Sequence, residues 1–132
     1  MPDRPAPPTG LWGWVTYAGY VYGCAVGWVW GGLLSRGRVE RHGRLWVFRG
    51  MPAWSFGRGG TTVGHCFLTG DGRIDARLLR HEAVHERQWR RYGILMPFLY
   101  ALAGRDPLRN RFEIEAGLED GNYLPRPAGP AL

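Results

Sequence analysis

The chain has 132 residues, 45% of them hydrophobic and 21% charged, which fits one small globular domain with a real core and excludes a wholly disordered chain. Its net charge is +6, but all 17 basic residues are Arg, spread along the chain with no nucleic-acid motif. The charge therefore reflects a GC-rich genome rather than a nucleic-acid partner. Two cysteines, Cys24 and Cys66, are too few for a disulfide framework and lack metal-ligand spacing, so both are expected to be free, buried thiols.

In chain order, residues 1–10 hold four prolines and read as a disordered arm. Leu11 to Leu34 follows, 24 residues without a charge. Gly19, Gly23, Gly27 and Gly31 recur every fourth residue and form a smooth stripe along one side of a helix, which lets another element approach closely. Trp12, Trp14 and Tyr17 near one end, and Trp28 and Trp30 near the other, resemble interfacial belts, and Arg36, Arg38, Arg41 and Arg44 come next. Two readings stand: membrane insertion or surface association through residues 11–34, or a helix buried in a soluble domain with its glycines against neighbouring helices. The modest hydropathy of Gly, Trp and Tyr favours the second. No signal peptide is visible, so a cytoplasmic location is expected, with membrane association as the alternative.

Arg38 to Phe48 reads as a hairpin turning at His42-Gly43, where His42 is expected to be solvated. Met51 to Gly60 reads as loop. Thr61 to Thr69, TTVGHCFLT, reads as the chain's best strand, with His65 on it, and Gly70-Asp71-Gly72 turns the chain. Asp75 is a good N-cap and Gly93 a good stop for the helix between them. Pro97 can open a short second helix closed by Gly104. A third starts at Asp106 or Asn110 and runs to about Glu119. From residue 121 the tail reads as irregular.

The helix after Asp75 carries His81-Glu82-Ala83-Val84-His85, an H-E-x-x-H pattern. Residues four apart lie one above the other, so the two imidazoles can grip one metal ion, and Glu82 can still reach its water. Zinc held in this way lowers the pKa of that water, and the Glu takes the proton. The pattern asks for a third ligand. Glu113 and Glu115, 28 and 30 residues past His85, are the candidates. They sit about 200° apart around a helix, so only one can face the metal. Glu113 has a competing role, because Asn110 and Glu113 stand at capping-box spacing.

HEAVHERQW, then YG, FLYALAG and NRFEIEAG, resemble the gluzincin-type zinc metallopeptidase-like domains of bacteria over about Thr61 to Gly121. The resemblance implies His81, His85 and Glu113 as zinc ligands, the last because it lies three residues before Ala116, and Glu82 as general base. Gln88 matches the Gln of H-E-x-x-H-x-x-Q, without an assigned role. The implied fold is a minimal zincin-like α+β domain over residues 11–120: N-terminal helix, small mainly antiparallel sheet, motif helix and third-ligand helix. The implied function is zinc-dependent hydrolysis of a peptide or protein substrate held along a strand edge. Oxyanion help is sought from His65 or Tyr123. The alternative is a non-catalytic metal-binding or membrane-associated interaction protein.

Overall fold

The computed structural model describes residues 7–125. Most of the expected N-terminal arm and most of the expected irregular tail lie outside these residues. The architecture is α+β: α1 (Gly10–Leu34), β1 (Val39–His42), β2 (Leu45–Phe48), β3 (Thr61–Val63), β4 (Cys66–Leu68), α2 (Ala76–Tyr92), α3 (Met96–Leu102) and α4 (Arg111–Ala116), with 3-10 turns at Ala53–Ser55 and Gly93–Leu95.

The four strands form one sheet in the order β1-β2-β4-β3. The two hairpins, β1–β2 and β3–β4, are antiparallel, and β2 pairs with β4 in parallel through Trp46↔Cys66 and Phe48↔Leu68. The sheet is therefore mixed, with a parallel seam at its centre. The single strand expected over Thr61–Thr69 is in fact two, because Gly64 takes φ +61° and turns the chain within Gly64-His65. A Cβ on Gly64 would also come within 2.5 Å of the Cys24 nitrogen, so the turn needs glycine for space as well as for conformation.

The glycine stripe of α1 packs inside the domain. A Cβ on Gly19 would lie 2.3 Å from the Ile94 nitrogen, one on Gly27 2.6 Å from the Cys66 Cβ, and one on Gly31 2.4 Å from the Phe48 Cγ. The stripe lets α1 sit directly on the sheet and on the turn after α2. Cys24 and Cys66 meet beneath it as free, buried thiols, which burial pushes up, Cys66 to about 12. Phe48, Leu68, Trp89, Met96 and Phe112 fill the core between sheet and helices. Among the described residues no helix is long and apolar enough to cross a membrane.

The helix ends follow their local signals. Asp75 accepts from the Leu78 N–H at 2.9 Å to cap α2, and Gly93 ends it at φ +58°. Asn110 caps α4 by accepting from the Phe112 N–H at 3.0 Å. α4 stops at Ala116 rather than near Glu119, because Gly117 takes φ +101° and breaks the helix. That early stop matters at the site.

Candidate metal centre

One face of α2 buries His81, Glu82, His85, Glu86 and Gln88, and α4 delivers Glu113 opposite. His85 Nε2 lies 2.7 Å and His81 Nε2 3.0 Å from Glu113 Oε1, and the two Nε2 atoms are 3.1 Å apart. The three donor atoms all fall within 4.8 Å of one another and are buried, so the group can hold a metal ion.

The protons on the imidazoles follow from their other nitrogens. His81 Nδ1 is 2.7 Å from the Gly117 carbonyl oxygen, which only accepts, so Nδ1 carries the proton. His85 Nδ1 is 2.8 Å from Gln88 Oε1. Gln88 is oriented in turn, since its NH2 donates to the Phe112 carbonyl and to Glu115 Oε1, each at 3.0 Å. Its oxygen is therefore the acceptor, and His85 Nδ1 also carries a proton. Both Nε2 lone pairs then converge on a carboxylate oxygen, an arrangement that repels itself unless a positive charge sits between them. Donors around a tetrahedral ion with bonds of about 2.1 Å stand about 3.4 Å apart, so an ion would spread these three by less than about 1 Å. The residues present fit a divalent metal.

The electrostatics express the same demand. Burial by itself lowers the His85 pKa, but the hydrogen bond and charge of Glu113, with the charge of Glu82, outweigh it and hold the imidazole above its ordinary value. Burial pushes the Glu113 carboxyl up, yet His81, His85 and Tyr100 together hold it well below the usual carboxylate range. The second oxygen of Glu113, Oε2, accepts from the Tyr100 hydroxyl at 2.5 Å and the Tyr123 hydroxyl at 3.1 Å, with Arg58 Nη1 3.7 Å away. One carboxylate oxygen faces the imidazoles and the other is held. The capping-box reading of Glu113 is thereby excluded.

Glu82 is also buried. Desolvation raises its pKa above the ordinary carboxylate value, against the opposing His85 charge and the Thr62 hydroxyl, which donates to Oε2 at 2.6 Å. Beside it opens a cleft of about 630 Å³ with two walls. Gly60 to Val63 form one wall, Met96, Pro97, Ala101 and Gly104 the other, and Trp30 of α1 reaches it as well. His85, Glu82 and Glu113 line it. The strand edge offers less than expected: β3 has three residues, and its Thr62 carbonyl already accepts from Trp89 Nε1 at 3.0 Å.

Of the expected site residues, His81, Glu82, His85, Glu113, Gln88 and Tyr123 come together. His65 does not. It lies in the β3–β4 turn, where its Nε2 accepts from Trp28 Nε1 at 2.8 Å, and it is not part of the cleft lining. His42 is exposed beside Glu40. Glu115 is no ligand of this group, but it anchors Gln88. Sequence reasoning missed Tyr100, Thr62 and Arg58. Each comes from a different element, and the only signal was indirect: a buried carboxylate such as Glu113 must find donors somewhere. The chain matches no known family, no curated protein and no solved structure.

Proposed function

We propose that the protein is a zinc-dependent, gluzincin-like hydrolase of peptide bonds, with His81, His85 and Glu113 as metal ligands and Glu82 as general base. The observation that carries the reading is the convergence of two imidazole lone pairs and one carboxylate oxygen on a single buried point, while both Nδ1 protons are committed elsewhere. No fourth His, Cys, Asp or Glu joins the group among the described residues, as a catalytic rather than structural site requires. Zinc bound there would supply a Lewis acid and lower the pKa of a water molecule toward neutrality.

The chain's own groups do the rest. Glu82 lines the cleft and is oriented by Thr62. Buried and oriented in this way, its carboxylate is placed to take the proton of the attacking water and return it to the leaving amine. Tyr100 and Tyr123 fix the Glu113 carboxylate through Oε2, so that Oε1 stays with the imidazoles. Gln88 and the Gly117 carbonyl set the imidazole tautomers from outside the ligand set. Trp30, Val63, Trp89 and Met96 give the cleft an apolar side, suited to a substrate with a large apolar side chain next to the scissile bond.

The test is elemental analysis of gently purified protein together with turnover of a quenched-fluorescent peptide library. We expect about one zinc per chain. Glu82→Gln should keep the metal and lose hydrolysis by about 10²–10⁴-fold. His85→Ala should lose both. Protein that takes up no metal on titration sinks the reading. Protein that binds zinc but shows no Glu82-dependent turnover is a metal-binding protein without this chemistry.

A further inference from the structure

We propose that the outer face of α1 docks on an anionic lipid surface, with the helix lying in the plane of the interface. Only one side of α1 is used by the fold. Its glycines and Cys24 face the sheet and α2, while the opposite side exposes Leu11, Trp14, Tyr22, Val29 and Leu33, with Tyr22 61%, Val29 63% and Leu33 75% accessible. The helix has 25 residues and no charge, so this face is an uninterrupted apolar strip about 37 Å long. Soluble proteins rarely leave such a strip in water, and a helix that is apolar all round is normally covered on every side.

Three observations choose a bilayer surface as the occupant. The first is charge. Arg36, Arg38, Arg41 and Arg44 follow the helix and are exposed, and the chain carries +6, which attracts an anionic membrane and disfavours a second copy of itself. The second is ring chemistry. Trp14 and Tyr22 are exposed there, and indoles and phenols favour the headgroup level, where one edge is apolar and the other wet. The third is the inner face. Contacts such as those of Gly19, Gly27 and Gly31 pin α1 along the domain, and no described helix is suited to cross a membrane, so the helix lies on the bilayer rather than through it. The proposal is independent of the hydrolase reading, and it turns the aromatic and arginine pattern into an interfacial rather than a spanning device.

The test is co-sedimentation of the full chain with vesicles of phosphatidylcholine mixed with phosphatidylglycerol, and with phosphatidylcholine alone. The wild type should sediment with the mixed vesicles, with its tryptophan emission shifted to the blue, and more weakly with the neutral ones. Tyr22→Glu combined with Val29→Glu replaces exposed side chains only and should lower partitioning by about tenfold or more while leaving helix content and metal uptake unchanged. No sedimentation of the wild type, or equal sedimentation of wild type and double variant, overturns the proposal. Equal binding to neutral vesicles overturns the assignment to an anionic surface. A lipid-independent dimer that the same two substitutions dissociate, without vesicle binding, overturns it in favour of a second copy of the chain.

Discussion

Helix α1 has no charged residue in 25 positions, yet it turns glycines inward and leaves Tyr22, Val29 and Leu33 in solvent. Helix α2, rich in Arg and Glu, turns His81, Glu82, His85, Glu86 and Gln88 inward. Neither helix buries a stripe of large aliphatic side chains. The difference lies in how the mismatch is relieved. On α2 every buried polar group finds a partner within the domain: Thr62 for Glu82, Tyr20 and Arg90 for Glu86, the Phe112 carbonyl and Glu115 for Gln88. What is left over is the set of lone pairs that face one another, which a cation could relieve. On α1 the inner face is relieved by close backbone approach, and the outer face has nothing in the described residues to cover it. One helix asks for an ion and the other for a surface.

The largest expected break comes from the inner side of α1. In Gly19→Val the new Cβ would fall 2.3 Å from a backbone nitrogen, at Ile94, which cannot rotate away as a side chain can. Overpacking against backbone should cost about 3 kcal/mol or more, read as a fall in the urea midpoint at constant slope. Ala18→Val, one residue earlier and exposed, should change stability by only about 0.5 kcal/mol through helix propensity. Equal effects at the two positions would mean that α1 is not pinned by its stripe.

The two helices also differed in how far the sequence could be read. The ends of α2 were legible because caps are local: Asp75 reaches three residues ahead and Gly93 supplies a positive φ, although a Cβ there would also lie 2.6 Å from the Thr16 oxygen of α1. The His81–His85 face was legible from helical period alone. Glu113 needed more. Asn110 and Glu113 have capping-box spacing, but Asn110 caps Phe112 alone, while Glu113 is drawn to two imidazoles that belong to another helix. Tyr100, Thr62 and Arg58 were invisible for the same reason, since nothing near them in the chain records what they meet. Gly64 was misread as part of a strand because its neighbours are β-formers. Its positive φ belongs to the turn, and Cys24 across the fold takes the space a Cβ would need. On α1 the stripe was legible as a contact face, but not what it would touch.

A smaller effect probes the outer shell of the α2 site. Gln88→Leu keeps the volume and removes the acceptor of the His85 Nδ1 proton, freeing the ring to rotate or to change tautomer. Metal affinity, measured by competition with a chromophoric chelator, should fall by about 10–100-fold. Glu115→Gln, which only loosens the anchor of Gln88, should have a lesser effect in the same direction. An unchanged affinity in Gln88→Leu would show that the buried polar face of α2 holds the fold together rather than the ion.

The smallest effect separates the two roles of Glu82 and needs no metal. In the chelated protein its carboxylate is buried, and desolvation raises its pKa above the ordinary 4.5. The fold therefore favours the protonated form. The stability this contributes is complete below the unfolded pKa and is lost as pH rises through the folded one. Glu82→Gln keeps an oxygen for the Thr62 hydroxyl and carries no charge to desolvate. The variant should be more stable than wild type at neutral pH by about 1 kcal/mol, a margin that closes as pH falls toward the ordinary carboxylate value. Urea unfolding at a series of pH values in the presence of chelator reads it directly. A variant that gains stability while losing turnover would show that the buried carboxylate is held in place at the expense of the fold, as a catalytic base is and a structural one is not. A variant that loses stability at neutral pH would place Glu82 with Glu86 and Gln88, among the groups that α2 buries for structure.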